Sequence, residues 1–149
     1  MTDTKLFRDK TPAIMNKLMK SFDLTDTQAA GILGNLGHEC AGFHVLHEIG
    51  QPEGKGGYGW GQWTGPRRKQ FFEWSKKNKL DWKSDDANYG FVEHELETSE
   101  SGAISALHKT VTLNAAVVAF ERNYERAGIA HYESREMWAQ VALDAYRQS

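Results

Sequence analysis

Apolar side chains recur at helical spacing along most of the chain, on either side of one interrupted stretch. This spacing is typical of amphipathic helices with one buried face. Thr11 before Pro12 predicts a helix start, and Thr25 with Gln28 predicts a capping box. The predicted helices are 12–22, about 26–40, one opening at Pro66, one capped by Ser84 or Asp85, a short one through Ile104 and Leu107, 114–126 and 133–147.

The ends and faces of the later helices follow from the same pattern. Gly102 is expected to separate two helices, and Gly128 to end the helix 114–126. Helix 133–147 is expected to bury four side chains, which are Met137, Trp138, Val141 and Tyr146. The chain is therefore predicted to be mainly α.

The stretch 42–66 breaks this pattern, with eight glycines between positions 42 and 65 and two prolines. It cannot be helical throughout. Tyr58, Trp60 and Gln62 alternate with small or aromatic neighbours, which predicts a short hairpin strand. We expect an α+β fold in which a helical core carries a Gly-rich β-hairpin that lines a cleft.

Composition and charge narrow the function classes. The chain has 149 residues, of which 40% are hydrophobic, enough for a single domain over residues 1–149. A net charge of −2 without a basic stripe argues against nucleic acid as a partner. No apolar run in the first thirty residues predicts a signal peptide or membrane span, so we expect a cytosolic start and no membrane partner. Cys40 is a lone cysteine and predicts no internal disulfide.

Helix 26–40 contains glycines at positions 31, 34 and 37, each of which costs about 1 kcal/mol relative to alanine. For Gly31 and Gly34 close packing of another helix is the better explanation. For Gly37 both helix packing and a nearby ligand stay open.

Glu39 is a candidate catalytic acid on its position alone. It follows Leu36 by three residues and Ile32 by seven, so it extends the buried stripe of the helix. Burial and the negative end of the helix dipole both favour the protonated carboxyl. The alternative is that Glu39 pairs with an arginine at the mouth of the core.

A zinc site is the competing hypothesis, because His38, Cys40, His44, His47 and Glu48 lie close together in sequence. Their spacing argues against it. The chain has no HExxH motif, Cys40 has no CxxC companion, and the loop around His44 and His47 imposes no fixed geometry. We therefore predict neither a metal nor another cofactor.

Three motifs resemble the phage tail lysozyme family of the lysozyme-like superfamily. They are the run 30–40 (AGILGNLGHEC), the run 57–64 (GYGWGQWT) and the run 120–128 (FERNYERAG). The resemblance extends from about residue 12 to 146. It implies a lysozyme-like fold and an enzyme that cleaves the glycan of bacterial peptidoglycan.

The resemblance also implies roles for individual residues. It places the catalytic acid on Glu39 and the substrate-binding strand on 58–64, and Cys40 stands where the family usually has serine. Gln62 is expected to bind an N-acetyl group, and the rings of Tyr58, Trp60 and Trp63 are expected to stack on sugar faces. The implied substrate-binding residues are Tyr58, Trp60, Gln62, Trp63, Thr64 and Tyr124.

The second carboxylate stays open at this point. Glu48 follows Glu39 by nine positions, a spacing similar to that of the acid and partner carboxylate in other phage lysozymes. Its alternative is a solvated loop residue. Enzymes of the superfamily with a single glutamate include lytic transglycosylases, whose strand motif the run 59–62 also resembles.

The predicted function is a monomeric glycosidase that cuts the β-1,4 bond between N-acetylmuramic acid and N-acetylglucosamine. The alternatives are a lytic transglycosylase and a non-catalytic wall-binding or tail module. The expected location is the cytoplasm of an infected host, with action on the wall after the membrane is opened, so dependence on a holin is indirect. The other location is the virion tail.

Overall fold

The computed structural model describes residues 2–149, and these form seven α-helices and one π-helical segment. The helices are α1 Lys5–Phe22, α2 Asp26–Glu39, α3 Gly65–Lys77, α4 Asp85–Glu97, α5 Ser101–His108, α6 Leu113–Phe120 and α7 Tyr132–Arg147, and the π-helical segment is Glu121–Glu125. The mainly α prediction is confirmed, with 64% of the chain helical.

Helix α2 is the central element and packs against α1, α6 and α7. The predicted capping box is present: the Gln28 backbone N–H donates to Thr25 Oγ1 at 3.1 Å, and the Thr25 N–H donates to Gln28 Oε1 at 3.0 Å. Every residue from Gln28 to Gly37 is buried. Because its helical neighbours enclose it, α2 fixes where its C-terminal residue lies.

The glycines of α2 permit this close packing. A Cβ added at Gly31 would lie 2.7 Å from the Ala116 Cβ, and one at Gly34 would lie 2.5 Å from the Ala139 Cβ. Both distances are shorter than real Cβ contacts, so α6 and α7 approach the backbone of α2. The prediction of close helix packing at Gly31 and Gly34 is confirmed. At Gly37 the neighbours are also core side chains, the rings of Phe7 and Trp138.

Helix α1 begins at Lys5, seven residues before the predicted start, and contains Pro12. An interior proline removes a helical hydrogen bond. The turns before Pro12 are held by burial of Phe7, whose ring lies 5.3 Å from that of Phe43 and 4.8 Å from that of Trp138. Tertiary packing therefore outweighs the local start signal at Thr11 and Pro12.

Two other local predictions are wrong, and a third is met in an unexpected form. Gly102 lies inside α5 rather than between helices. The predicted helix 114–126 is helical as far as Glu125, but α6 ends at Phe120 and the remaining turn is the π-helical segment, which the left-handed Arg126 (φ 51°) terminates. Met137 is 37% exposed, because it lies on the solvent side of α7, whereas Trp138 is buried as predicted.

The predicted β-hairpin does not form. Within residues 2–149 Tyr58 makes isolated antiparallel bridges with His47 and Trp63, and these replace extended strands. Gly59 and Gln62 have φ values of 78° and 48°, so the chain turns back sharply between Tyr58 and Trp63. The alternating pattern therefore belongs to a tight turn within an irregular loop, 42–64.

Candidate active site

Glu39 is the last residue of α2, and its side chain is 19% exposed. Its Oε2 lies 2.7 Å from Nη2 of Arg135, a residue of α7 that is 1% exposed. The close approach of α2 and α7 at Gly34 brings these two side chains together. Both sequence interpretations of Glu39 therefore describe the same residue: it extends the buried stripe and it pairs with an arginine.

Arg135 is fixed on all sides. Its Nη1 donates to Asn35 Oδ1 at 3.1 Å, and its Nε donates to the Ala130 carbonyl at 2.5 Å. Asn35 in turn donates to the carbonyls of Gly31 and Val117. A guanidinium held in this way has one orientation, so it also fixes the carboxylate of Glu39.

Two opposing influences set the proton affinity of Glu39. Burial raises the pKa of this carboxyl, while the charge and hydrogen bond of Arg135 lower it; the net direction is upward. Nearby His131 lowers the pKa and Glu121 raises it by smaller amounts. A carboxyl with a raised pKa at the end of a buried helix can act as a proton donor.

The π-helical segment adds two carboxyls that sequence reasoning missed. Glu121 is buried, and its oxygens accept from Tyr132 Oη at 2.6 Å and from the Ala127 N–H at 2.9 Å. Glu125 is half-buried, with one fully buried oxygen, Oε1, that has no hydrogen-bond partner. The signal was available in the run 120–128, which carries two acids four residues apart.

Behind the site lies a buried polar network. Arg67 of α3 donates to both oxygens of Glu95 at 2.9 and 3.0 Å and to the Tyr124 carbonyl at 3.0 Å. Tyr124 donates from Oη to Glu95 at 2.6 Å and accepts from Trp63 Nε1 at 3.3 Å. This network ties the 42–64 loop to the π-helical segment.

The chain as a whole matches one family model, that of the phage tail lysozymes, over residues 9–146. The chain belongs to the phage tail lysozyme family. Neither a curated protein nor a solved structure gives a significant match. Membership confirms the resemblance and indicates a peptidoglycan-lytic enzyme. In the described part, residues 2–149, none of the helices has the length and apolarity needed to cross a membrane.

Three of the aromatic residues assigned to substrate in this phage tail lysozyme lie in its core instead. Trp60, Trp63 and Tyr124 are 1%, 2% and 0% exposed. The ring of Trp60 packs 4.8 Å from that of Phe43, and the ring of Trp63 packs 4.7 Å from that of Phe71. Because these rings present no free face, the predictions that Trp60 and Trp63 stack on sugars and that Tyr124 binds substrate are corrected: the three rings pack among other aromatic side chains.

Gln62 and Thr64 remain candidates for substrate contact, and Tyr58 remains one only at the edge of a pocket. Tyr58 is 4% exposed and its ring stacks 4.0 Å from that of His47, and what is left open lines a pocket of about 610 Å³ with Phe72 of α3 and Trp82. Gln62 is half-buried, and its Nε2 donates to the Val45 and Gly59 carbonyls. Thr64 is exposed at the start of α3.

Glu48 lies exposed in the loop and is bound by loop neighbours. Its Oε1 accepts from the Gly57 N–H at 3.1 Å, and its Oε2 accepts from Gln51 Nε2 at 3.4 Å. These contacts shape the loop. They are those of a solvated structural residue, although a role toward substrate stays a prediction.

The histidines and the cysteine of the rejected zinc hypothesis are separately engaged. His38 Nδ1 lies 2.7 Å from Ser134 Oγ, and His47 Nε2 lies 2.9 Å from the Lys55 carbonyl. Cys40 is buried and donates from Sγ to the Leu36 carbonyl, and burial raises the pKa of its thiol to about 12. Within residues 2–149 no three metal-binding side chains come together.

Proposed function

We propose that this chain is a glycosidase that cleaves the β-1,4 bond between N-acetylmuramic acid and N-acetylglucosamine, with Glu39 as general acid. The observation that carries the proposal is the placement of Glu39 at a buried helix end in a chain of the phage tail lysozyme family. Because the pKa of Glu39 is raised, its carboxyl stays protonated in a fraction of the molecules at a pH at which an exposed glutamate is fully ionised.

The chemistry follows from the leaving group. A glycosidic oxygen leaves poorly as an alkoxide, so the Glu39 carboxyl donates its proton while the bond to the sugar carbon breaks. The electron pair of that bond goes to the oxygen, and positive charge develops on the sugar ring. Arg135 stabilises the Glu39 carboxylate that results, because its guanidinium is already in place.

For substrate contact we propose Gln62 and Thr64 together with the pocket that Tyr58 lines. The aromatic surface of that pocket comes mainly from the half-buried His47 and Trp82, which suits the apolar face of a sugar. Since Nε2 of Gln62 is engaged by two carbonyls, its Oε1 is the atom that would accept from an N-acetyl N–H.

A lytic transglycosylase is the second candidate, and the environment of Glu48 favours it. Both oxygens of Glu48 are held by loop partners, which leaves Glu39 as the better-placed catalytic carboxyl of the two predicted from sequence. In a transglycosylase a hydroxyl of the sugar itself attacks the ring carbon and returns its proton, and the product is an anhydro sugar. A hydrolase uses water and leaves a reducing end.

One experiment separates these functions. Purified peptidoglycan is digested with the protein, and the soluble glycans are analysed by mass spectrometry. Reducing ends would establish the hydrolase, and anhydro ends would establish the transglycosylase. Binding of the wall without released fragments would leave only the non-catalytic module. Activity is expected to persist with a chelator present.

For delivery we propose action on the wall after the host membrane has been opened, or from a virion tail. Expression in the cytosol of a Gram-negative cell should then leave the cells intact until chloroform is added, after which turbidity should fall rapidly. Immunoblotting of purified virions would distinguish the tail-associated protein from one that stays in the lysate.

A further inference from the structure

Another pocket lies at the first turn of α7, next to the Glu39–Arg135 pair. We call it the α7 pocket. It has a volume of about 490 Å³, within the range of pockets that bind small ligands. None of its lining residues lines the pocket beside Tyr58, so the two are separate surfaces. The α7 pocket is lined by His131, Tyr132, Glu133, Ser134 and Met137.

Two adjacent polar contacts fix the α7 pocket relative to the candidate acid. His38 and Glu39 are consecutive residues at the end of α2, and they contact Ser134 and Arg135, which are consecutive residues of α7. His38 Nδ1 lies 2.7 Å from Ser134 Oγ, and Glu39 Oε2 lies 2.7 Å from Arg135 Nη2. Because Ser134 lines the pocket while Arg135 holds the acid, a ligand in this pocket lies at a fixed position relative to the Glu39 carboxyl.

His131 has a backbone conformation that residues with a side chain rarely adopt. It precedes α7 with a φ of 52°, in the left-handed region, and its side chain makes no capping hydrogen bond to the helix. Gly128, the glycine of the same segment, does not adopt this conformation. Left-handed residues other than glycine are uncommon, and strained positions of this kind cluster at functional sites. Here the backbone places an exposed imidazole at the pocket, with its ring 5.4 Å from that of His38.

Apolar side chains form the rest of the lining. Met137 is 37% exposed and lies one helical turn after Glu133 on the solvent side of α7. Tyr132 is half-buried, and its Oη donates to Glu121 at 2.6 Å, which fixes the ring. The pocket therefore presents a thioether and two rings beside an imidazole and a carboxylate. This combination suits a sugar, because a pyranose ring has an apolar face and a rim of hydroxyls.

We propose that the α7 pocket binds an N-acetylhexosamine unit of the glycan strand next to the bond that Glu39 protonates, with His131 and Met137 as its main contacts. The inference rests on the proposed function and extends it to a second sugar-binding surface. An enzyme that cuts a bond between two sugars binds a sugar on each side of that bond. Gln62, Thr64 and the pocket beside Tyr58 supply one surface, and the α7 pocket supplies the other. A sugar held there positions the glycosidic oxygen at the carboxyl of Glu39.

The first test is kinetic and uses the double variant His131→Asn, Met137→Gln. Asparagine tolerates the left-handed region and glutamine suits a helix, so the variant loses pocket surface and keeps the backbone. On soluble glycan strands we expect KM to rise about tenfold while kcat stays within about twofold, because the lost contacts bind the sugar in the ground state and the transition state alike.

The matched control is the double variant His108→Asn, Val111→Gln, which makes the same changes at exposed residues that line neither pocket. Its KM should equal that of the wild type. An unchanged KM in the pocket variant, a fall in kcat alone, or an equal rise of KM in the control would overturn the inference.

The second test measures binding without catalysis, in wild-type protein labelled with ¹³C at the methionine methyl groups. The Met137 signal is assigned by its absence in Met137→Gln. The probe is a peptide-free disaccharide with N-acetylglucosamine linked to a reducing N-acetylmuramic acid, which lacks the bond that the enzyme cuts. Its addition should shift the Met137 signal to saturation and leave that of the buried Met15 in place.

The outcomes of this titration separate the inference from the proposed function. A Met137 signal that does not move with the disaccharide, or moves only with the free stem peptide, overturns the inference even if the protein degrades peptidoglycan. A saturating shift in a protein that releases no glycan fragments would support the sugar site and refute the proposed function.

Discussion

The floor and the wall of the candidate site are built in opposite ways. The floor consists of the buried residues Arg135 and Asn35 and the half-buried Glu39, and its hydrogen bonds join residues as far as 100 positions apart in sequence. The wall is the part of the 42–64 loop around Glu48 and Gln62, whose side chains bond to residues of the same loop, while Trp60 and Trp63 anchor the loop to the helices beneath. Long-range bonds fix a catalytic group more tightly, whereas a local loop adapts to a substrate.

The comparison predicts that a substitution in the floor lowers the stability of the whole protein. In Arg135→Met, Glu39 keeps a half-buried charge without its partner, and Asn35 and the Ala130 carbonyl lose their donor. Breaking a buried pair in this way costs about 3–5 kcal/mol of unfolding free energy. Urea denaturation at neutral pH measures the loss. Arg135→Lys keeps the positive charge but loses the paired N–H donors of the guanidinium, so its unfolding free energy should lie between those of the wild type and Arg135→Met. If Arg135→Met lowered the unfolding free energy by less than about 1 kcal/mol, the floor would not be the rigid part of the site.

The second prediction concerns a variant that removes the proton donor but keeps the contacts of the floor. Glu39→Gln retains the shape of the side chain and an oxygen for Arg135 but has no proton to donate. We expect the rate of peptidoglycan cleavage to fall at least 100-fold, about 2.7 kcal/mol in the barrier, while the protein stays folded. Circular dichroism controls for folding. More than a tenth of wild-type activity would exclude Glu39 as the general acid.

Sequence reasoning located the floor better than the wall. The buried stripe ending at Glu39 and the glycines at 31 and 34 were readable because helical periodicity reports which face is buried. The partner Arg135 lies 96 positions away, and nothing local indicates which arginine it is. Alternation around Tyr58 was taken for a strand, since periodicity alone does not reveal the left-handed conformations of Gly59 and Gln62.

The same reasoning explains the aromatic residues. The family motifs include three aromatic residues that are buried, Trp60, Trp63 and Tyr124. A motif shows that a ring is typical at a position, but it does not show whether the ring contacts substrate or packs beneath the site. Glu125 was missed because the burial of its Oε1 without a hydrogen-bond partner depends on the π-helical turn, which helical periodicity does not predict. Only the complete set of hydrogen bonds contains that information.

The third prediction applies to Glu48 the change already made at Glu39. Glu48→Gln keeps an oxygen that can accept from the Gly57 N–H, and it changes an exposed charge in a loop. We expect less than a threefold change in cleavage rate, measured on the same peptidoglycan. If Glu48→Gln lowered the cleavage rate nearly as much as Glu39→Gln, Glu48 would be the base or nucleophile, and a residue of the wall would take part in the reaction.

The smallest expected effect concerns His38, at the edge of the floor. Burial, followed by the charges of Arg135 and His131, lowers the pKa of its imidazole to about 4, compared with about 6.5 in the unfolded chain. Because the unfolded state then binds more protons, the stability that His38 contributes is present above pH 6.5 and is lost as the pH falls toward 4. In His38→Gln this contribution is absent, so the urea midpoint of the variant should fall less steeply than that of the wild type between those pH values. The difference between the two curves isolates His38 from the glutamates that titrate in both proteins. If the urea midpoints of the two proteins changed with pH in parallel, the imidazole of His38 would be solvated and would not belong to the buried surroundings of the floor.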